Sequence, residues 1–255
     1  MLQRIEHGEI LELRLDRPPA NALSPELIET LAAAIEAAPS RGAAAIVLSG
    51  RPGMFTGGLD LPLLAGLDPA GMEHAVRVFL EALRTLAGCP VPLAAAITGH
   101  SPAGGAVFSQ HCDWRVMARG EFAIGFSEAQ LGIAMPRMIQ EVLALRVGWN
   151  RATELCLTGR LMGPEEALAV GLVDELAEPD EVVERAVAWL ERLIRLPRRP
   201  NAVTRRHARE AMVAAVERFM EPDVAEFLES WNLPETRRAV EAMVARLTGG
   251  GNGRR

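Results

Sequence analysis

Apolar and polar positions alternate along the chain with periods that change several times. Ile10, Leu11, Leu13 and Leu15 interleave imperfectly with Glu9, Glu12, Arg14 and Asp16, so Ile5 to Leu15 reads as two short strands around His7-Gly8. Leu27, Ile28, Leu31 and Ile35 then follow at helical spacing behind Ser24-Pro25, an N-cap with proline at the first helical position. Ala44–Ser49 is a continuous apolar run of the kind that forms a buried strand. A glycine-rich loop, Gly50 to Asp60, comes next. Asp68-Pro69 opens a helix to about Ala87, which Cys89-Pro90 breaks. Val91–Thr98 predicts a second buried strand, followed by a loop, Gly99-His100-Ser101-Pro102, and a helix start at Ala103-Gly104-Gly105-Ala106. Cys112–Ala118 and Glu121–Gly125 read as two more short strands. This alternation predicts an α/β core of βα or ββα units. Past Pro136 the pattern is mostly helical, with starts expected near Asn150, Pro164, Pro179, Asn201, Pro222 and Pro234 and one strand at Leu172–Leu176.

Composition narrows the picture. The 255 residues are enough for a sizeable core, and 49% hydrophobic with 24% charged content is that of a globular protein. A net charge of −6 and the absence of tyrosine argue against nucleic acid as a partner. Apolar runs such as Val91–Ile97 fall far short of the ~20 residues that span a bilayer. The start of the chain lacks a signal-peptide h-region, so a cytoplasmic protein is expected. Cys89, Cys112 and Cys156 are scattered, and neither CxxC nor HExxH occurs, so no metal site is expected. GxGxxG and Walker patterns are absent too.

Four features bear on chemistry. The loops Met54–Asp60 and Ser101–Gly105 each follow a buried strand. They are either two tight turns or a place where two backbone N–H groups converge on one oxygen. Gly99-His100-Ser101-Pro102-Ala103 misses the serine-hydrolase elbow only at its last position, with His207 the only later histidine beyond His111. Arg192, Arg195, Arg198, Arg199, Arg205, Arg206 and Arg209 form either a solvated basic face or a contact for a ligand phosphate. Glu128 is the only acid between Glu121 and Glu141. In so apolar a segment it either points to solvent or sits desolvated with a raised pKa, ready to move protons.

In this order and at these intervals, the segments resemble the crotonase (enoyl-CoA hydratase/isomerase) superfamily. The resemblance runs from Asp16-Arg17-Pro18-Pro19-Ala20-Asn21-Ala22-Leu23 through Phe55–Leu61, Pro102–Gly105, Cys112–Val116 and Glu128–Ile133 to Leu157–Arg160 and Gly171–Asp174. It implies an α/β fold of the ClpP/crotonase type: a spiral of ββα units over residues 1–200, a C-terminal helical region at 201–248 serving as lid or oligomerisation element, and a disordered tail at 249–255. Trimers or dimers of trimers are implied as well.

The resemblance further implies an acyl-CoA thioester as substrate, with coenzyme A part of that substrate and no separate cofactor. Carried over, the thioester oxygen would accept the N–H groups of Leu59 and Gly104. Thr56, Gly57, Gly58 and Asp60 would line the acyl-CoA site, Ser127 would lie beside the acyl chain, and Pro19, Ala20 and Asn21 would run along the CoA moiety. Hydratases of the family carry two glutamates. The first of these positions holds Val107 here and the second matches Glu128. One base is enough to move a double bond, and the run through Pro136-Arg137-Met138 is most similar to the Δ3,Δ2-enoyl-CoA isomerase branch. A hydratase with a reduced acid set, an acyl-CoA hydrolase and a non-catalytic CoA-thioester-binding subunit are the alternatives.

Overall fold

The computed structural model describes residues 1–249; the tail from 250 onward lies outside the described residues, and Gly249 ends the last helix. Strands β1 (Leu2–His7) and β2 (Ile10–Leu15) form the expected hairpin. Helix α1 (Pro25–Ala37) starts where Ser24 Oγ accepts the Leu27 N–H at 3.3 Å. One pattern then repeats three times: buried strand, short strand, helical segment. β3 (Ala45–Ser49) leads to β4 (Gly53–Met54), α2 (Leu61–Ala65) and α3 (Pro69–Gly88). β5 (Leu93–Ile97) leads to β6 (Gly99–Pro102) and α4 (Gly104–Gln110). β7 (Trp114–Ala118) leads to β8 (Ile124–Gly125), a 3₁₀ turn at Glu128–Leu131 and α5 (Arg137–Val147). The chain continues through α6 (Trp149–Thr158), β9 (Leu161–Met162), α7 (Pro164–Ala169), β10 (Glu175–Ala177), α8 (Val182–Ile194), α9 (Arg198–Trp231) and α10 (Pro234–Gly249).

The long strands order as β1-β2-β3-β5-β7-β10, parallel from β2 onward, and the short ones as β4-β6-β8-β9. Because β3, β5 and β7 pair in parallel, and β4, β6 and β8 do likewise, successive ββα units stack as turns of a spiral. The main sheet is covered on both faces, which explains its uninterrupted apolar strands. Leu93, Ala95 and Ile97 of β5 enter the larger core with α1, α3 and α4, while Ala94 and Ala96 face Val182, Ala186 and Leu190 of α8.

Several expectations shift. Gly99–Pro102 is strand β6 rather than a loop: it pairs with β4 so closely that a Cβ on Gly99 would lie 2.0 Å from the carbonyl carbon of Gly53. Glycine here answers a close approach of two backbones, not a turn. The strand expected at Leu172–Leu176 forms at Glu175–Ala177, while Leu172 and Val173 are buried without strand pairing. The helix after Pro179 starts at Val182. Asn201 and Pro222 start no helix; both lie inside α9, whose 34 residues begin at Arg198. An interior proline costs about 3 kcal/mol. Packing along α3 and α5 outweighs it, and Asp223, next to the proline, accepts the N–H groups of Arg137 and Met138 at 2.8 Å each.

The basic stretch divides in two. Arg195 and Arg198 are exposed and pair with Glu191 and Glu9. Arg205 and Arg209 turn inward onto Asp113. They also donate to the carbonyls of Cys89, Ala87, Leu86 and His111, at the ends of α3 and α4. Among the described residues no helix is long and apolar enough to cross a membrane.

Candidate active site

The two glycine-rich loops meet at the ends of β4 and β6. A Cβ on Gly58, where φ is +85°, would sit 3.1 Å from Ala103 Cβ and 3.3 Å from Gly104 N, so this crossing requires a residue without a side chain. Asn21 holds the first loop from beneath. It is fully buried, with its Oδ1 accepting the Arg17 N–H and its Nδ2 donating to the carbonyls of Met54 and Phe55. Thr56 Oγ1 donates to Asn21 O at 2.7 Å and accepts the Gly58 N–H at 3.1 Å.

These anchors orient Leu59. The Leu23 N–H donates to Gly58 O and the Asp60 N–H to Leu23 O, a parallel bridge that leaves the N–H of Leu59 directed away from Leu23. In the second loop, Ala103 adopts φ +48° and ψ −120°, held by its N–H to Gly125 O and by its carbonyl, which accepts from Val107. The kink turns the chain into α4 and leaves Gly104 at the first helical position. Among the described residues, neither the Leu59 nor the Gly104 N–H has an acceptor.

A cavity of about 280 Å³ opens at this point. Gly57, Leu59, Gly104, Ser127 and Glu128 line it, as do Leu131 and Ile133. Glu128 opens the 3₁₀ turn, which is fixed from outside: Gln130 Nε2 donates to Gly159 O at 2.6 Å, and the buried Thr236 Oγ1 of α10 donates to Gly132 O at 2.8 Å. Glu128 Oε2 is shut off from solvent and has no hydrogen-bond partner among the described residues. Burial pushes its pKa from 4.5 up to about 7, opposed only by its own backbone N–H. The solvent-pointing alternative for this side chain therefore fails.

Among the described residues, Glu128 is the only acid lining this cavity. Asp60 caps α2 through the Leu63 N–H and pairs with Arg17 at 2.7 Å; Glu141 pairs with Arg137, and Asp113 with Arg205 and Arg209. Asn21, Thr56, Gly58 and Asp60 thus shape the first loop from behind rather than line the cavity, and Val107 and Phe126 are buried in the core. Pro19 is exposed, and Ala20 lies against Gly57, whose N–H its carbonyl accepts. The serine-hydrolase geometry does not form. Ser101 is fully buried outside the cavity, the His100 ring takes the Ala123 N–H, and His207 is exposed on α9.

Pattern reading missed the far wall: Leu61, Phe79, Ile139, Leu161, and Phe227, Met243 and Leu247 from the last two helices. A signal exists in Met243 and Leu247, four residues apart and so on one face of α10.

Two free amide donors beside one desolvated carboxylate and an apolar cavity form an arrangement that can polarise a carbonyl and move a proton near it. Comparisons with known proteins agree with that class. The chain belongs to the enoyl-CoA hydratase/isomerase family, whose profile matches residues 6–244. It is 36% identical over 234 residues to a probable enoyl-CoA hydratase, echA17, of Mycolicibacterium paratuberculosis, covering 91% of this chain and 86% of that protein. It is 29% identical to the mitochondrial enoyl-CoA delta isomerase 1 of Homo sapiens, covering 92% of this chain and 79% of that one. The crystal structure of human mitochondrial delta3-delta2-enoyl-CoA isomerase superposes with a TM-score of 0.92 at 26% identity, over 98% of this chain and 99% of that one. The crotonase spiral expected from the sequence is therefore the fold of this protein.

Proposed function

We propose that this protein is an enoyl-CoA isomerase that moves the double bond of a 3-enoyl-CoA to the 2-trans position. The thioester oxygen accepts the Leu59 and Gly104 N–H groups, which withdraw electron density and acidify C2. Glu128 removes a proton from C2; the electrons spread over a dienolate held by the same two donors. Glu128 then returns the proton at C4, and the double bond lies between C2 and C3. Each amide donor contributes about 3 kcal/mol to lowering the barrier. Apolar walls keep water from the dienolate.

The observation that carries this reading is the solitary acid. Adding water across a double bond is served by one group that activates water and another that delivers a proton. Here Val107, buried and apolar, occupies the position where the hydratase pattern has its first glutamate. The name of the mycobacterial relative favours hydration as the second reading. Acyl-CoA is the substrate and coenzyme A leaves with the product. Assembly as a homotrimer or dimer of trimers, a role in fatty-acid β-oxidation and a cytoplasmic location belong to the same proposal.

The test is a side-by-side assay on 3-enoyl-CoA and 2-enoyl-CoA. Double-bond migration without hydration of the 2-enoyl ester is expected. Hydration at a rate equal to or above isomerisation would transfer the assignment to the second reading.

A further inference from the structure

The acyl cavity is closed by the chain's own last helix. α10 packs against α2, directly after Leu59, and against the turn that holds Glu128, so it lies across the space between the two. Thr236 fixes its first turn to Gly132 O. Along the same helix Met243 is half-buried and lines the cavity, with Phe227 of α9 buried beside that space and Leu247 at its exposed rim. The rest of this wall is apolar: Leu61, Ile139 and Leu161 are aliphatic and Phe79 is aromatic. The one amide there, Gln130, is committed to Gly159 through its nitrogen.

We infer that Met243 limits the length of the apolar acyl chain that the protein accepts. The inference rests on the acyl-CoA reading above but not on the isomerase chemistry. The cavity, about 280 Å³, is bounded on this side by α10, so the acyl chain that fits it has a limit of length. The thioester carbonyl takes part of that space. A chain that fits gains affinity with every methylene it buries, about fourfold each. A chain that outgrows the cavity must displace α10 or leave its end in water. Met243 is suited to this position because its unbranched thioether adapts to the chain end without a fixed shape. Removing the side chain beyond Cβ frees space for two or three further methylenes.

The experiment is calorimetric titration of the full chain with saturated acyl-CoA esters from four to sixteen carbons, which bind without reacting. For the wild type, affinity should climb with length and level off at a definite break within this range. Met243→Ala should move that break up by two or three carbons, and Met243→Trp should move it down by about two. The opposite directions guard against misfolding, which cannot lengthen the break in one variant and shorten it in the other. A break at the same length in all three proteins would overturn the inference. Failure of the wild type to bind any acyl-CoA would overturn it together with the acyl-CoA reading. A break that moves as described, in a protein that isomerises nothing, would sustain the inference and defeat the isomerase assignment alone.

Discussion

Asp113 and Glu128 are both desolvated carboxylates, and they end in opposite states. Asp113 lies beneath α9, where burial pushes its pKa up but Arg209 and Arg205 pull it down further, to a net value below the usual aspartate range. Its Oδ1 accepts from Arg209, and its Oδ2 from Arg205 and the Leu93 N–H, all at 2.8 Å. Glu128 meets the same desolvation with no cation and a partnerless Oε2, and its pKa rises to about 7. Burial is common to both, so partners decide. A carboxylate surrounded by donors is a structural anion that holds helices in place, whereas one denied donors is a base kept near neutrality.

The most direct way to break the contrast is to remove the base. Glu128→Gln should lower turnover of 3-enoyl-CoA by a factor of about 10² to 10⁴, the range of a positioned general acid–base group. Affinity for a saturated acyl-CoA should stay within a fewfold of wild type. Turnover within tenfold of wild type would remove Glu128 from the reaction. At the other carboxylate, Asp113→Asn should leave Arg205 and Arg209 without their anion and cost about 3–5 kcal/mol of stability, read as the urea midpoint at unchanged slope. A loss below about 1 kcal/mol would mean that the carbonyls of Leu86, Ala87, Cys89 and His111 suffice to hold the two guanidiniums.

The sequence revealed these two regions unequally. Glu128 stood out because an isolated acid in an apolar run is a local signal, and the caps at Ser24 and Asp68 were equally local. Arg205 and Arg209 were indistinguishable from the exposed arginines around them. Their burial depends on α9 lying along α3, a contact made across more than a hundred residues of chain. The same non-local packing explains Pro222, which by its own chemistry starts helices and here lies inside one that tertiary contacts sustain. It also explains why the cavity's far wall was missed. Phe227 and Met243 become neighbours of Leu61 and Phe79 only after the spiral has closed, and no spacing within one segment encodes that meeting.

Linkage sharpens the contrast further. Glu128 has a pKa of about 7 in the folded protein against 4.5 for the ordinary side chain. Between these values the native state holds a proton that the unfolded chain has lost, so stability falls as pH rises from 4.5 through 7. At about 1.4 kcal/mol per pH unit the loss reaches about 3 kcal/mol above pH 7. Glu128→Gln removes it, so the variant should match wild type near pH 4 and exceed it by up to that amount at pH 8. Asp113 has the reverse sign: its lowered pKa contributes stability that is present above 3.8 and lost as pH falls through the folded value. Urea midpoints from pH 4 to 8 measure the Glu128 slope, and midpoints below 3.8 measure that of Asp113. A Glu128→Gln advantage that is flat with pH would show that the carboxyl does not titrate in the native state as described.

The smallest lever acts on strain rather than charge. Ala103 occupies φ +48° and ψ −120°, a conformation that costs a residue with a Cβ about 1–3 kcal/mol. Nothing about the Asp113 clamp calls for such a conformation, whereas at the site it sets the direction of the next amide, that of Gly104. Ala103→Gly should relieve the strain, and the added freedom of glycine in the unfolded chain should cancel about 0.5–1 kcal/mol of the gain. A net stabilisation of about 1 kcal/mol is therefore expected. Turnover should fall severalfold at the same time, because an amide held by a less restricted backbone spends less time aimed at the thioester oxygen. The two readouts must move in opposite directions: a variant that is both more stable and fully active would show that the kink at Ala103 is incidental to the site, and that the orientation of Gly104 comes from its packing against Leu23, Gly58 and Phe79.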